Sequence, residues 1–344
     1  QASASPSITV MIAAFNEADN LESRIRNIFD CDWEDADLEI LVVSDGSTDG
    51  TCELVRSIGA RDDRVRLLEV NPQRGRANAH NEGCRIARGD ILVFSDAETV
   101  FEPDFLEEIA APFADTQVGF SSGSLDYAND HEGVARSAGL YWRQEQALRR
   151  AESKCGIFIL GSGACCAVRR KLFRDVPPTG DIDFTTPLDV VLQGSRCIHC
   201  PGAIAHDVLP DTTSREFRAR IRMTSKNLRG TISRWGLRGL IRHPVYSLAL
   251  VSHKILKWLT PFLALMVLAS SVVLAFTSWM AMILLIAQAA FLVWALVGRW
   301  CSRVLWAWHA WSFLVVNIAF GIGVSKALLG SVPAMYRPVS QTGK

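Results

Sequence analysis

Gly89-Asp90-Ile91-Leu92-Val93-Phe94-Ser95-Asp96-Ala97-Glu98 is the stretch from which the fold can be read. Four apolar or aromatic residues in a row run into two carboxylates separated by one residue. An unbroken run of this kind suits a strand covered on both faces, as in a parallel sheet. Open α/β sheets bind ligands outside the carboxyl ends of such strands, so Asp96 and Glu98 stand at the ligand edge. Alternate strand residues face opposite ways, so positions 96 and 98 can share a direction. Paired carboxylates offer hard oxygens to a divalent cation, Mg2+ or Mn2+, itself suited to holding a diphosphate. Taken alone, the pair reads equally well as an acidic surface turn.

The scheme repeats towards the N-terminus. Ser7 to Ala14 is an apolar, β-branched run that ends at Phe15-Asn16-Glu17, and Leu21, Ile25, Ile28 and Phe29 follow at helical spacing. Leu38 to Ser44 breaks at Asp45-Gly46-Ser47-Thr48-Asp49-Gly50, Val65 to Val70 makes a third strand, and Gly75 to Ala87 a small-residue helix. Strands alternating with helices predict an α/β fold with a doubly wound, mostly parallel sheet and right-handed crossovers. Asn16, Asp45 and Asp96 then share the edge at which such folds bind nucleotides. There is no GxxxxGK[ST] loop and no GxGxxG after the first strand, which disfavours P-loop and dinucleotide chemistry. Asp45 is placed to accept hydrogen bonds from a base or ribose, although DGSTDG is also simply a good turn.

Composition divides the chain. Its 344 residues carry 36 basic and 36 acidic side chains, and the zero net charge argues against nucleic acid as a partner. Most charge precedes residue 257 and long apolar runs follow, which separates a domain with its own core from a membrane region. Nine cysteines in no framework spacing read as reduced, buried thiols facing the cytoplasm. Cys197-Ile198-His199-Cys200 with His206 looks like half a zinc site but lacks a second cysteine pair, and reads as a strand. The chain opens at Gln1 rather than Met, which leaves room for sequence upstream, and Gln1 to Ser7 has no signal-peptide pattern.

AAFNE (13–17), VVSDGSTDGT (42–51), RGRANAHNEG (74–83) and GDILVFSDAE (89–98) occur in an order and spacing that resemble the family 2 inverting glycosyltransferases. The likeness extends through most of the chain, and is closest to the membrane-integrated branch of cellulose, hyaluronan and poly-N-acetylglucosamine synthases. The resemblance implies a GT-A fold, a nucleotide-diphosphate sugar donor, UDP-type in the first instance, and Mg2+ or Mn2+. It implies donor contacts from Ala14, Asn16, Glu17, Asp45, Arg76 and Asp96, with Asp96 and Glu98 where the family carries DxD. Glu98 departs from the usual second Asp but keeps the carboxylate.

Beyond Phe101-Glu102-Pro103-Asp104 the pattern changes, as expected where a nucleotide half gives way to an acceptor half. Tyr141 to Glu152 is helical in spacing, and Trp142 offers a ring for stacking on a sugar or simply an aromatic for packing. Gly161-Ser162-Gly163-Ala164 allows a close backbone approach, to an acceptor as the resemblance implies or within a packed sheet. The resemblance also places a general base in Asp181-Ile182-Asp183, on Asp183 by counting back from Gly194, with Asp181 the rival. Arg215, Arg218, Arg220 and Arg222 follow. Arginine grips diphosphates through its planar fork, but the QxxRW motif of processive members is matched at Arg222-Met223 only by its arginine. A basic helix face against anionic lipid is the other reading of these residues.

Arg229, Arg234, Arg238 and Arg242 alternate with Leu237, Leu240 and Ile241 as in an amphipathic element lying on a membrane. Apolar runs near 259–276, 279–297 and 305–324 are each long enough to cross a hydrocarbon core of about 30 Å. Arg299 and Arg303 place the connection between the second and third runs, and the catalytic domain, in the cytoplasm by the positive-inside rule. Lys326, Arg337 and Lys344 fit that rule poorly if all three runs cross. Either the tail returns as a re-entrant or interfacial piece, or the rule fails here. The expected plan is a cytoplasmic GT-A domain at 1–230 (nucleotide half 1–105, acceptor half 106–230), an interfacial segment at 231–257, three transmembrane helices at 258–330 and a tail at 331–344. The expected activity is sugar transfer to a glycan acceptor at the plasma or inner membrane, with further synthase or export subunits as candidate partners. Single transfer to a polyprenyl-phosphate or lipid acceptor, and a non-catalytic sugar-nucleotide-binding subunit, are the rivals.

Overall fold

The computed structural model describes residues 6–33, 37–127, 133–158, 160–207, 213–300 and 306–331. Its centre is an eight-stranded mixed sheet. The parallel half is built from β1 (Ile8–Ala14), β2 (Leu38–Asp45), β3 (Val65–Val70) and β4 (Ile91–Ser95), alternating with helices α1 (Ala18–Phe29), α2 (Thr51–Gly59) and α3 (Arg76–Ile86). In space the strands run β3-β2-β1-β4, with Ile8 beside both Leu38 and Ile91.

The continuous apolar runs serve two cores, one on each face. Ile8, Val10, Ile12, Ile40, Val42, Ile91 and Val93 pack with Leu21, Ile25 and Ile28 of α1. Met11, Leu41, Val43, Leu92 and Phe94 turn to the opposite face, where they meet Ala79 and Cys84 of α3. Each such side chain contributes about 1.5–3 kcal/mol when fully buried. Gly83 lets α3 sit close, since a Cβ there would come within 2.8 Å of Met11 and Val43.

The second half follows as β5 (Val100–Phe101), α4 (Phe105–Ala110), β6 (Val118–Tyr127), α5 (Gly133–Lys154), β7 (Cys166–Arg169), α6 (Ile182–Leu192) and β8 (Arg196–Asp207). The full order is β3-β2-β1-β4-β7-β6-β8-β5. β7 is antiparallel to both β4 and β6, and β5 to β8, so the sheet is parallel on its nucleotide side and mixed beyond it. β8 runs well past the Cys197–Cys200 stretch. Cys197 and Cys200 are buried in it, and burial drives both thiols upward, Cys200 to about 12. Among the described residues no group of three or more His, Cys, Asp or Glu could hold a metal ion.

After the sheet come α7 (Thr213–Gly230), α8 (Gly236–Arg242), α9 (Pro244–Leu250), α10 (Leu256–Leu274), α11 (Trp279–Trp300) and α12 (Ala307–Leu328). The segment from 244 to 274, α11 and α12 are each long and apolar enough to cross a membrane. Leu237, Ile241, Val245 and Leu248 are exposed on α8 and α9, interleaved with Arg238 and Arg242, as a membrane-surface element requires. An ionic clasp joins this region to the sheet domain. Glu145 of α5 is ion-paired with Lys254 and reaches Lys257 at 3.5 Å, and Glu152 meets His253 at 2.7 Å.

Candidate active site

Three parallel strands end at one edge and deliver the first part of the site. Asn16 follows β1 in a left-handed conformation (φ 57°), which Asn tolerates better than most residues. Its Oδ1 accepts from the Thr48 N–H at 2.8 Å and its own N–H donates to Ser47 Oγ at 3.1 Å, tying the end of β1 to the DGSTDG loop. Glu17 donates its N–H to Thr51 Oγ1 at 3.0 Å. Asp45, buried at the end of β2, accepts from the N–H groups of Arg74 at 2.8 Å and Gly75 at 2.7 Å. It therefore holds the turn that opens α3, whose Gly75 has φ 94°, a conformation natural only to glycine. The first residue of that helix is Arg76.

Arg76 is the hub of the site. Its guanidinium is ion-paired with Asp96 at the end of β4, with both side chains partly exposed. Its charge also bears on Glu17 and on Asp183. Burial lifts Glu17 above the usual carboxylate range; a hydrogen bond from Asn20 opposes this, and the Glu98 and Asp49 charges add to the rise. The Glu98 charge thus acts on Glu17. One turn beyond Arg76, His80 is buried edge-on against Phe94, and burial with the Arg76 and Lys226 charges keeps it neutral.

The second part comes from the N-terminus of α6. Asp183 lies in its first turn beneath the Gly161-Ser162-Gly163 segment, and its backbone oxygen accepts from the Gly161 N–H at 2.8 Å. Gly163 faces the Asp183 side chain, and a Cβ there would stand 3.8 Å from its Cβ and Cγ. Burial and the neighbouring Asp181 push the Asp183 carboxyl up to about 6, while Arg76 and Arg149 resist the rise. Asp181 itself is bound to Lys226 of α7 at 2.7 Å. The two rival aspartates thus differ: Asp181 is salt-bridged, while Asp183 is partly buried with a raised carboxyl that the Arg76 charge opposes.

Asp45, Arg76, Asp96 and Asp183 are thus brought together, with Asn16, Glu17 and Gly163 around them, and Ala14 is the buried last residue of β1. Arg220 and Arg222 are half-buried on α7, the helix that supplies Lys226. Trp142 falls in α5, and its side chain lies outside the described residues. Nothing in the sequence marks Arg149 or Lys226. Each lies on a helix that reads as an ordinary charged face, and only tertiary packing turns them inward. An Arg-Trp pair, absent at Arg222-Met223, is present at Arg234-Trp235. Trp235 is buried, donating to Ser247 Oγ at 2.9 Å, and Arg234 Nε stands 3.7 Å from Asp189.

The donor set fits a hard divalent cation bound together with substrate. Asp96 and Glu98 offer carboxylate oxygens, and Glu17 adds a nearby negative charge. With no larger protein cage among the described residues, the remaining ligands would be phosphate oxygens and water, the arrangement Mg2+ favours.

Comparison with known proteins bears out the fold. A poly-beta-1,6-N-acetyl-D-glucosamine synthase of Staphylococcus aureus is 26% identical over 222 residues, 62% of this chain; the chain spans about half, 53%, of that relative's length. Glycosyltransferase AglE of Haloferax volcanii is 24% identical over 71% of this chain and 79% of its own. Among solved structures, the mannosyltransferase PcManGT from Pyrobaculum calidifontis, in complex with GDP-Man and Mn2+, superposes with a TM-score of 0.69 at 25% identity, over 94% of this chain and 88% of that one. GalNAc-T7 with UDP, GalNAc and Mn2+ shares the fold at a TM-score of 0.50 and 14% identity, over 67% of this chain and 48% of its own. Residues 9–176 match the model described as Glycosyl transferase family 2, and the chain carries a family 2 glycosyltransferase domain on a GT-A fold.

Proposed function

We propose that the chain is an inverting glycosyltransferase that moves a sugar from a nucleotide-diphosphate donor to a glycan or lipid-linked acceptor at the cytoplasmic face of a membrane. The observation that carries this is the placement of Arg76 between two carboxylates of opposite character, the ion-paired Asp96 and the desolvated Asp183. A carboxyl raised to about 6 is a base poised near neutral pH. Asp183 takes the proton from an acceptor hydroxyl as that oxygen attacks the anomeric carbon. The bond to the diphosphate breaks on the opposite face, the leaving oxygen keeps the electron pair, and configuration inverts in one step. Arg76 faces the developing charge on the leaving group. A divalent cation held by Asp96 and Glu98 would add Lewis-acid stabilisation there. Asp45 acts by holding the Arg74-Gly75 turn, and so sets where Arg76 begins.

The synthase relative, named for an N-acetylglucosamine polymer, and the PcManGT complex, which holds GDP-Man, favour sugar transfer but involve different sugars, so the reading extends to UDP- and GDP-sugars alike. Single transfer to a lipid-linked acceptor has support of its own: Trp235 is 2% exposed and leaves no face for stacking on a growing chain. The test is to incubate the protein in nanodiscs with UDP- and GDP-sugars, Mg2+ or Mn2+, and polyprenyl-phosphate or oligosaccharide acceptors, following nucleotide release and product mass. One added sugar selects the lipid reading and a ladder selects polymer synthesis. Donor binding with no release under any condition would remove the catalytic reading.

A further inference from the structure

α12 has the length and composition of a membrane span, yet positions near both its ends touch the α10–α11 hairpin. α10 and α11 form an antiparallel hairpin turning at 275–278, and Gln288 Nε2 donates to Ser271 Oγ at 3.5 Å across it. Ten residues back along α10 from Ser271 is Pro261, and ten forward along α11 from Gln288 is Gly298. These two therefore share a level at the open end of the hairpin, the end next to the ionic clasp.

α12 touches both. At its start, Ala307 packs so closely on Gly298 that no side chain would fit there. Fourteen residues on, Gly321 lies against Pro261, where a Cβ would stand 3.6 Å from the proline Cγ. At a rise of about 1.5 Å per residue, an upright helix would separate positions 307 and 321 by about 21 Å of depth, most of a hydrocarbon core. Between these contacts, Phe313 reaches Phe291 at 5.9 Å between ring centroids, about two turns below Gly298.

The far half of α12 then enters the catalytic domain. Phe320 and Val324 are buried in the same core as Phe184, Trp235 and Trp258. Gly323 packs on α7, with a Cβ falling 2.8 Å from that of Thr224, and Arg229 Nη1 donates to the Ala327 oxygen at 3.3 Å. α7 carries Arg215, Arg218, Arg220, Arg222, Lys226 and Arg229. Each such charge costs about 2.5–3.5 kcal/mol or more at the bilayer centre, so a helix lying along α7 cannot lie across the hydrocarbon.

We infer that α12 does not cross the membrane but lies in the leaflet on the catalytic side, where it bridges the open end of the α10–α11 hairpin and α7. Ile318 and Ile322, one turn apart and exposed on α12, are the lipid-contact face. Lys326 then sits with the catalytic domain, in accord with the positive-inside rule. The inference rests on the membrane reading above. It also gives α12 a role at the site, since Thr224, against which Gly323 packs, lies two residues before the Lys226 that binds Asp181.

The test is cysteine accessibility in full-length protein with Cys155 and Cys301 replaced by serine. Single cysteines at Asp62, Thr277 and Ser331 are probed with a membrane-impermeant maleimide in sealed vesicles oriented so that Asp62→Cys reacts. Ser331→Cys should react equally with Asp62→Cys, while Thr277→Cys should react only after detergent. Ser331→Cys behaving like Thr277→Cys would overturn the inference and restore three crossings. Thr277→Cys reacting like Asp62→Cys would sink the membrane reading itself, and the inference with it. A nitroxide at Ile322→Cys should report a depth near the headgroups, shallower than one at Leu284→Cys; a mid-bilayer depth at Ile322 would overturn the inference independently.

Discussion

Arg76 forms an ion pair with Asp96 and at the same time opposes the upward shift of Asp183. One guanidinium therefore acts on both carboxyls, pairing with Asp96 and lowering Asp183, the proposed base. The pH dependence of turnover should betray this. A base raised to about 6 is protonated below that value, so the rate should fall as pH drops through about 6. Asp181→Asn removes the negative charge that raises Asp183 and should move this acidic limb to lower pH. Arg76→Gln removes an opposing positive charge and should move it to higher pH. The pH profile of kcat/KM decides, and a limb indifferent to both substitutions would assign the titration to another group.

Asp183→Asn should lower transfer by about 10²–10⁴, the usual worth of a positioned base, while donor affinity measured by calorimetry stays unchanged. Stability should move the other way. The folded carboxyl holds its proton more tightly than an unfolded one, about 6 against 3.8, so its ionisation works against folding. That penalty is absent below about 3.8 and complete above about 6. At pH 8 the variant should melt at or above the parent temperature; a clearly lower value would make Asp183 a structural residue.

The nucleotide half was legible because its strands are buried on both faces, and short continuous apolar runs such as Ile8–Ala14 and Ile91–Ser95, each closed by a polar turn, suit little else. Their polar ends, Asn16, Asp45 and Asp96, followed from the parallel arrangement alone. That Asp45 also accepts from the backbone N–H groups of Arg74 and Gly75 did not follow, because such partners carry no side-chain signature. β6 was illegible for a similar reason: Ser121-Ser122-Gly123-Ser124 has no strand pattern, and its pairing with β8 shifts register there. Lys226 and Arg149 reach the site only through helix packing, so no local spacing marks them.

With two protein carboxylates as its principal ligands, Mn2+ should bind weakly to the protein alone and far more tightly when a nucleoside diphosphate is present, each strengthening the other by the same factor. Titration calorimetry or Mn2+ paramagnetic resonance with and without UDP or GDP measures this. Glu98→Asp should keep the linkage, and Glu98→Gln should weaken it. Asp96→Asn should weaken it further and also release Arg76. Tight Mn2+ binding without nucleotide would contradict this donor set.

The Glu145–Lys254 pair between α5 and the juxtamembrane segment should be structural rather than a pH sensor. Despite burial, Lys254, Arg149 and Lys257 hold Glu145 down to about 2. A depressed carboxyl contributes stability above its unfolded value, 4.5 here, and loses it only as pH falls through about 2, so the Glu145–Lys254 pair stays intact across the physiological range. Removing one partner is another matter. Glu145→Gln leaves the Lys254 ammonium, 8% exposed, facing an amide, and breaking a buried pair costs about 3–5 kcal/mol. Glu145→Met with Lys254→Met removes both charges and should recover much of that loss. Hydrogen exchange in nanodiscs should show faster exchange in 145–154 and 251–257 for Glu145→Gln, and near-parent protection for the double variant. If the single substitution leaves both segments protected, the catalytic domain is held to the membrane helices by apolar packing at Trp235 and Trp258, and the ion pairs contribute little.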